Sequence, residues 1–301
     1  MTRLNRILVP LDFSPASLET FDYALEFATN HQSRCVFLHV VSPMVPSTEL
    51  SGYVDINRLI SALKTQAEEH MNRLRVRAMD AGVKASFRVR VGTTGNEILE
   101  AAKVSKADLI MMGKHSKGKL ERWFMGSVTE RVLRHSGIPL LITPEGEAAK
   151  LSPGGFKRIV VTTDHPQTPD DALDAALSFV QGEETRITLL HVIADWPSSI
   201  AFPLGGVLLA PSQSKEEVRE EMLKHLPHKP NVFARVESGV PYQEIIEVLK
   251  TTGADLLVMN IHGRGALERF LLGTTAERVI RGSPCPVLAI PPRHEAKEKA
   301  A

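Results

Sequence analysis

Apolar residues recur along the chain in two alternating periods. Arg6-Ile7-Leu8-Val9-Pro10-Leu11-Asp12 and Cys35-Val36-Phe37-Leu38-His39-Val40-Val41 are short, nearly continuous apolar runs of the buried-strand kind. Between them, behind Ser14-Pro15, Leu18, Phe21, Ala24, Leu25 and Ala28 fall at helical spacing; serine caps and proline is tolerated at the first helical position. Ser42 to Tyr53, with Pro43, Pro46 and Gly52, has no period and reads as a loop. Asp55 to Ala81 predicts a long amphipathic helix with Leu59, Leu63, Ala67, Met71, Leu74 and Ala78 on its buried stripe. Ala85 to Val91 alternates, as a peripheral strand does, and Glu97 to Ser105 predicts a helix. A strand, Leu109-Ile110-Met111-Met112, breaks at Gly113 into Lys114-His115-Ser116-Lys117-Gly118-Lys119, and a helix beginning at Ser127 and the strand Pro139 to Ile142 follow. Alternating strands and helices predict a parallel sheet covered on both faces, with ligands beyond the carboxyl ends of the strands. Asp12, Val40 and Gly113 lie at such ends.

The whole plan then repeats. Arg158-Ile159-Val160-Val161-Thr162-Thr163-Asp164 matches the first strand, Thr168-Pro169 opens its helix, and Ile187 to Ile193 matches the second strand and ends in His191-Val192-Ile193. Leu120-Glu121-Arg122 returns as Leu267-Glu268-Arg269, and Glu130-Arg131-Val132 as Glu277-Arg278-Val279. The expected organisation is α/β: two tandem, open-twisted, five-stranded and mostly parallel sheets of Rossmann-like type, one per domain. Residues 1–145 form the first domain, 146–156 a Pro- and Gly-rich linker, 157–292 the second domain and 293–301 a charged tail. An insertion at 195–213, apolar around Trp196, Phe202 and Leu208, reads as a lid or an interface segment. The last strands, Pro139 to Ile142 and Pro286 to Ile290, are apolar sheet edges, and exposed edges of this kind pair.

Two stretches carry candidate chemistry. Ser127 with Glu130, and Thr274 with Glu277, have the spacing of a capping box, as Ser214 with Glu217 does. A lysine-rich loop between a strand's carboxyl end and a helix N-terminus supplies donors and positive charge to an anion such as a phosphate. His39 and His191 stand at equivalent strand ends, as His115 and His262 do in equivalent loops, yet no nucleophile, base and orienting group stand at recognisable spacing.

Composition narrows the function. Of 301 residues, 36 are basic and 35 acidic, a balance that argues against an electrostatic nucleic-acid binder. No apolar run approaches a membrane span and no signal-peptide core precedes the first strand, so a cytoplasmic location is expected. The two cysteines, Cys35 and Cys285, sit in or beside apolar strands and read as small buried hydrophobes, neither disulfide nor metal ligands.

These residues resemble the universal stress protein family in its tandem, two-domain form, over nearly the whole chain. ATP-binding members of that family have Asp at the end of the first strand, Val at the end of the second, and Gly-x-x-Gly, nine residues, then Gly-Ser/Thr. Here the signature reads Gly113-x-x-Ser116 before Gly126-Ser127, and Asn260-x-x-Gly263 before Gly273-Thr274, each departing at one glycine. The resemblance implies ATP as ligand, with or without Mg, in one or both halves. Asp12 and Asp164 would meet the adenine or ribose, backbone groups of Val40 and Val192 the base, and the loop residues with Ser127 and Thr274 the phosphates. It further implies a regulatory role in stress with at most slow hydrolysis, an internal pseudo-dimer of the halves, a possible homodimer and a protein partner. Two other readings stand beside it: an interaction module that has lost nucleotide, and a binder of an apolar ligand covered by the 195–213 insertion.

Overall fold

The computed structural model describes residues 4–42, 55–114, 126–146, 151, 155–165, 171–180, 184–194, 214–227, 231–261 and 273–291. In chain order the first half contributes β1 (Arg6–Pro10), α1 (Pro15–His31), β2 (Arg34–Val41), α2 (Ile56–Asp80), β3 (Ala85–Val91), α3 (Thr94–Ser105), β4 (Leu109–Gly113), α4 (Ser127–His135) and β5 (Leu140–Thr143). The second contributes β6 (Arg158–Thr162), α5 (Asp171–Ser178), β7 (Arg186–Ala194), α6 (Lys215–His225), β8 (Val232–Gly239), α7 (Pro241–Thr252), β9 (Leu256–Asn260), α8 (Thr274–Gly282) and β10 (Val287–Ile290).

All ten strands lie in one sheet, ordered β3-β2-β1-β4-β5-β10-β9-β6-β7-β8. Within each half every pairing is parallel, whereas β5 and β10 pair antiparallel, Leu141 opposite Leu288. The two apolar edges expected from the sequence therefore cover each other, and β3, with its alternating pattern, is left at an outer edge. Period two along the strands sorts the core onto two faces. Ile7 and Val9 of β1 and Leu109 and Met111 of β4 join the helices α1, α2, α5 and α6, while Leu8, Ile110 and Met112 join α3, α4, α7 and α8. Both clusters run through the two halves. Phe27 of α1 meets Phe156 and Phe179 of the second half at ring-centroid distances of 6.4 and 6.1 Å.

Ser14 caps α1 by accepting from the Ser17 N–H, with Pro15 in the first turn, and Asp55 caps α2. The stripe of α2 is shorter than its periodicity suggests: Ala67, Met71, Leu74 and Ala78 are buried, but Leu59 and Leu63 are exposed. Leu63 borders the cleft described next.

Candidate functional site

In each half the strand order reverses between the first and fourth strands, β1 and β4, then β6 and β9. A crevice opens beyond the carboxyl ends at such a switch point. In the first half it is a cleft of about 570 Å³. Asp12 and Phe13 line it after β1, Leu38 to Ser42 along β2, Met112 and Gly113 at the end of β4, Leu63, Gln66, Ala67 and His70 from α2, Thr94 and Ile98 from α3, and Val128 and Thr129 from α4.

Asp12 serves the turn and the cleft together. Its Oδ1 accepts from the Ser14 N–H at 3.0 Å and the Ser14 hydroxyl at 2.5 Å, which fixes the entry to α1. Oδ2 has no hydrogen-bond partner among the described residues. His39 Nδ1 donates to the Leu11 carbonyl at 2.8 Å; a carbonyl only accepts, so this nitrogen carries the proton. Phe13 is held in the left-handed region, φ 63°, a conformation costing a bulky residue roughly 1–2 kcal/mol. Its ring stacks on His39, centroids 4.3 Å apart, and lies 4.9 Å from His70, contacts that offset the strain and seal one end of the cleft. The sequence carries no sign of this stack, because nothing in it marks a phenylalanine for positive φ.

The start of α4 corrects the sequence reading. Ser127 is the first helical residue and not the cap; Gly126 occupies the cap position and offers no side-chain oxygen. Glu130, expected to close the box, pairs instead with Arg134 at 2.6 Å. In the second half Gly273 caps α8 and Glu277 pairs with Arg281, so the Thr274–Glu277 box is absent too. At Ser214 the box forms with both of its hydrogen bonds. An uncapped first turn leaves backbone N–H groups for an outside acceptor, and Val128 and Thr129 of that turn line the cleft. Gly273 has φ −59°, and a Cβ added there would meet nothing within 4 Å. Neither backbone strain nor packing against the described residues therefore requires this glycine.

Gly113 and Asn260 are both extended strand-end residues, so asparagine carries no conformational cost at its position. Val40 lines the cleft and Val192 is its counterpart on β7. The second half repeats the histidine contact, His191 Nδ1 donating to the Thr163 carbonyl at 2.9 Å. It does not repeat the aspartate: Asp164 is exposed, and Thr163 rather than Asp164 accepts the turn N–H, that of His165. Lys114, beside Gly113, is pushed below the usual lysine value by burial, with Glu145 acting against that shift. Ser116, His115, Lys117, Lys119, Arg122, His262, Gly263, Arg264, Arg269 and the 195–213 insertion lie outside the described residues.

The architecture is that of the doubly wound, Rossmann-like class of α/β domains, present twice. The model of the universal stress protein family matches residues 3–144 and 155–291, and the chain belongs to that family. It is similar to a universal stress protein of Methanocaldococcus jannaschii, 34% identical over 140 residues that cover 46% of this chain and 81% of the relative. A relative from Mycolicibacterium smegmatis is 23% identical over 300 residues, covering 95% of this chain and 97% of its own length. Among solved structures, a universal stress protein from Archaeoglobus fulgidus superposes with a TM-score of 0.71 at 24% identity, covering 96% of this chain and 97% of the other. That last likeness concerns the fold alone.

Proposed function

We propose that the first-half cleft holds ATP and that the protein is a nucleotide-responsive regulator of the stress response. The observation that carries this reading is the meeting, in one cleft of about 570 Å³, of an acceptor at Asp12, the Val40 segment and Val128 and Thr129 from the uncapped first turn of α4. In this arrangement Asp12 Oδ2 accepts from the adenine amino group or a ribose hydroxyl, the backbone near Val40 borders the base, and the first-turn N–H groups of α4 receive phosphate oxygens. Mg would arrive with the triphosphate, since no cluster of three or more His, Cys, Asp or Glu is found among the described residues. Gly273, unexplained by strain or packing, supports a second phosphate position at α8, which Thr274, Asn260 and Gly263 would share.

The antiparallel β5–β10 pairing supports reading the two halves as an internal pseudo-dimer, in which occupancy of one half would be felt by a sheet common to both. The expected role is cytoplasmic, with nucleotide biasing the loops toward a protein partner and any hydrolysis slow. Isothermal titration of nucleotide-free protein with ATP tests this directly. Saturable binding that Asp12→Ala removes from the first half supports the proposal; absence of saturable heat would leave the interaction module standing.

A further inference from the structure

A second cleft, of about 220 Å³, lies by the amino ends of β6, β9 and β10, which the antiparallel β5–β10 pairing places at the same end of the sheet as the carboxyl ends of β4 and β5. It is built from both halves: Tyr23 of α1 on one side, Arg158, Asp255 and Cys285 on the other, with Leu151 and Phe156 between them. Tyr23 is 1% exposed, and its hydroxyl has no hydrogen-bond partner among the described residues. Leaving such a group buried and unpaired costs roughly 1–3 kcal/mol. Burial first, and then the charges of Asp255 and Cys285, push this phenol well above the ordinary tyrosine value, so it is a proton donor at any working pH. Tyr23, Asp255 and Cys285 line the same cleft.

The polar groups here are short of acceptors. Asp255 already takes the Lys157 and Arg158 backbone N–H groups, one on each oxygen, at 2.8 and 2.9 Å. Arg158 Nε donates to the Gly253 carbonyl at 2.6 Å, while its terminal nitrogens have no acceptor and no ion pair among the described residues. Asp255 and Arg158 cancel in charge, and the remaining wall, Leu151, Phe156, Pro284 and Pro286, is apolar.

We propose that this cleft binds a small organic acid, whose apolar body lies against Phe156 and Pro286 and whose oxygens accept from the Tyr23 hydroxyl and the Arg158 guanidinium. Because Tyr23 comes from the first half and Arg158 from the second, such a ligand would tie the halves together at the end of the sheet that also carries the nucleotide cleft.

The test is a titration of the intact protein with benzoate, followed through backbone amide NMR signals, with benzyl alcohol in parallel. Signals of Gly253, Asp255 and Cys285 should move saturably with benzoate, and benzyl alcohol should bind at least about tenfold more weakly. Losing a hydrogen bond to a charged group accounts for a factor of that size. Tyr23→Phe and Arg158→Gln should each weaken benzoate by a similar factor while the remaining spectrum is unchanged. If Tyr23→Phe does not fold, Arg158→Gln carries the comparison alone. No saturable movement with benzoate, or equal affinity in wild type and the folded variants, would overturn the proposal and leave Tyr23 a buried hydroxyl without a ligand.

Discussion

Replacing Asp12 by asparagine separates the two tasks assigned to its carboxylate. The amide oxygen can still accept from the Ser14 N–H now held at 3.0 Å, so the turn into α1 survives. What changes is the second atom, Oδ2, which becomes an NH₂ donor. If ATP donates to that atom, a charge-assisted hydrogen bond worth about 1.5–3 kcal/mol is replaced by two donors facing each other. At 1.4 kcal/mol per tenfold, the Kd should rise by about 10- to 100-fold. Stability should fall much less. The lost negative charge stands before the α1 N-terminus, an effect of about 0.3–1 kcal/mol, which in a chain this long lowers Tm by only a few degrees. Titration calorimetry with ATP, paired with thermal unfolding in its absence, reads both quantities. An unchanged Kd in a folded Asp12→Asn protein would refute the reasoning and reduce Asp12 to a turn residue.

Other perturbations probe the rest of the account. Gly273→Val should abolish nucleotide binding by the second half while costing no more than about 1 kcal/mol, the scale of a poor N-cap, because its Cβ meets open space; unchanged stoichiometry in calorimetry would sink that assignment. Phe179→Ala should lower stability by about 3–5 kcal/mol, since its ring lies 6.1 Å from Phe27 and 5.7 Å from Phe156 across the two halves; a wild-type denaturation midpoint would contradict the shared core. Burial pushes the Cys35 thiol up to about 12 from 9.0. With the folded value raised, its contribution is complete below pH 9 and is lost above it, as the unfolded thiol ionises and the folded one does not. Between about pH 8 and 10 the wild type should therefore lose roughly 1.4 kcal/mol more than Cys35→Ala, measured by urea unfolding at each pH; equal losses would show that the thiol ionises freely in the native state.

The order of elements and the internal repeat were legible because they depend on periodicity, and periodicity is set by which face each residue buries. The caps of α4 and α8 were not. Ser127 and Thr274 have the same spacing to glutamate as Ser214, yet only Ser214 forms the box. The difference lies four residues further on: Glu130 and Glu277 face Arg134 and Arg281, which capture them, whereas Glu217 faces Glu221, which cannot. A glycine directly before Ser127 and Thr274 also takes the cap position. Leu59 and Leu63 keep helical spacing but stay exposed, Leu63 bordering the cleft instead of the core. Asp12 and Val40 were recognisable from strand ends and from the family resemblance, while His70 reached the cleft through a fold-level contact that local sequence does not encode. The departures at Ser116 and Asn260 stand differently: Ser116 lies outside the described residues, and Asn260, being extended, carries no conformational cost.

The measurement that bears most directly on the central claim is an amide-detected NMR titration of the intact protein with ATP. The account expects saturable shifts concentrated at Val40, Gly113, Gly126, Ser127, Val128 and Thr129, around the cleft at the carboxyl ends of β1, β2 and β4. Shifts absent from these residues at saturating ATP, or confined to Gly253, Asp255 and Cys285 around the second cleft, would contradict it.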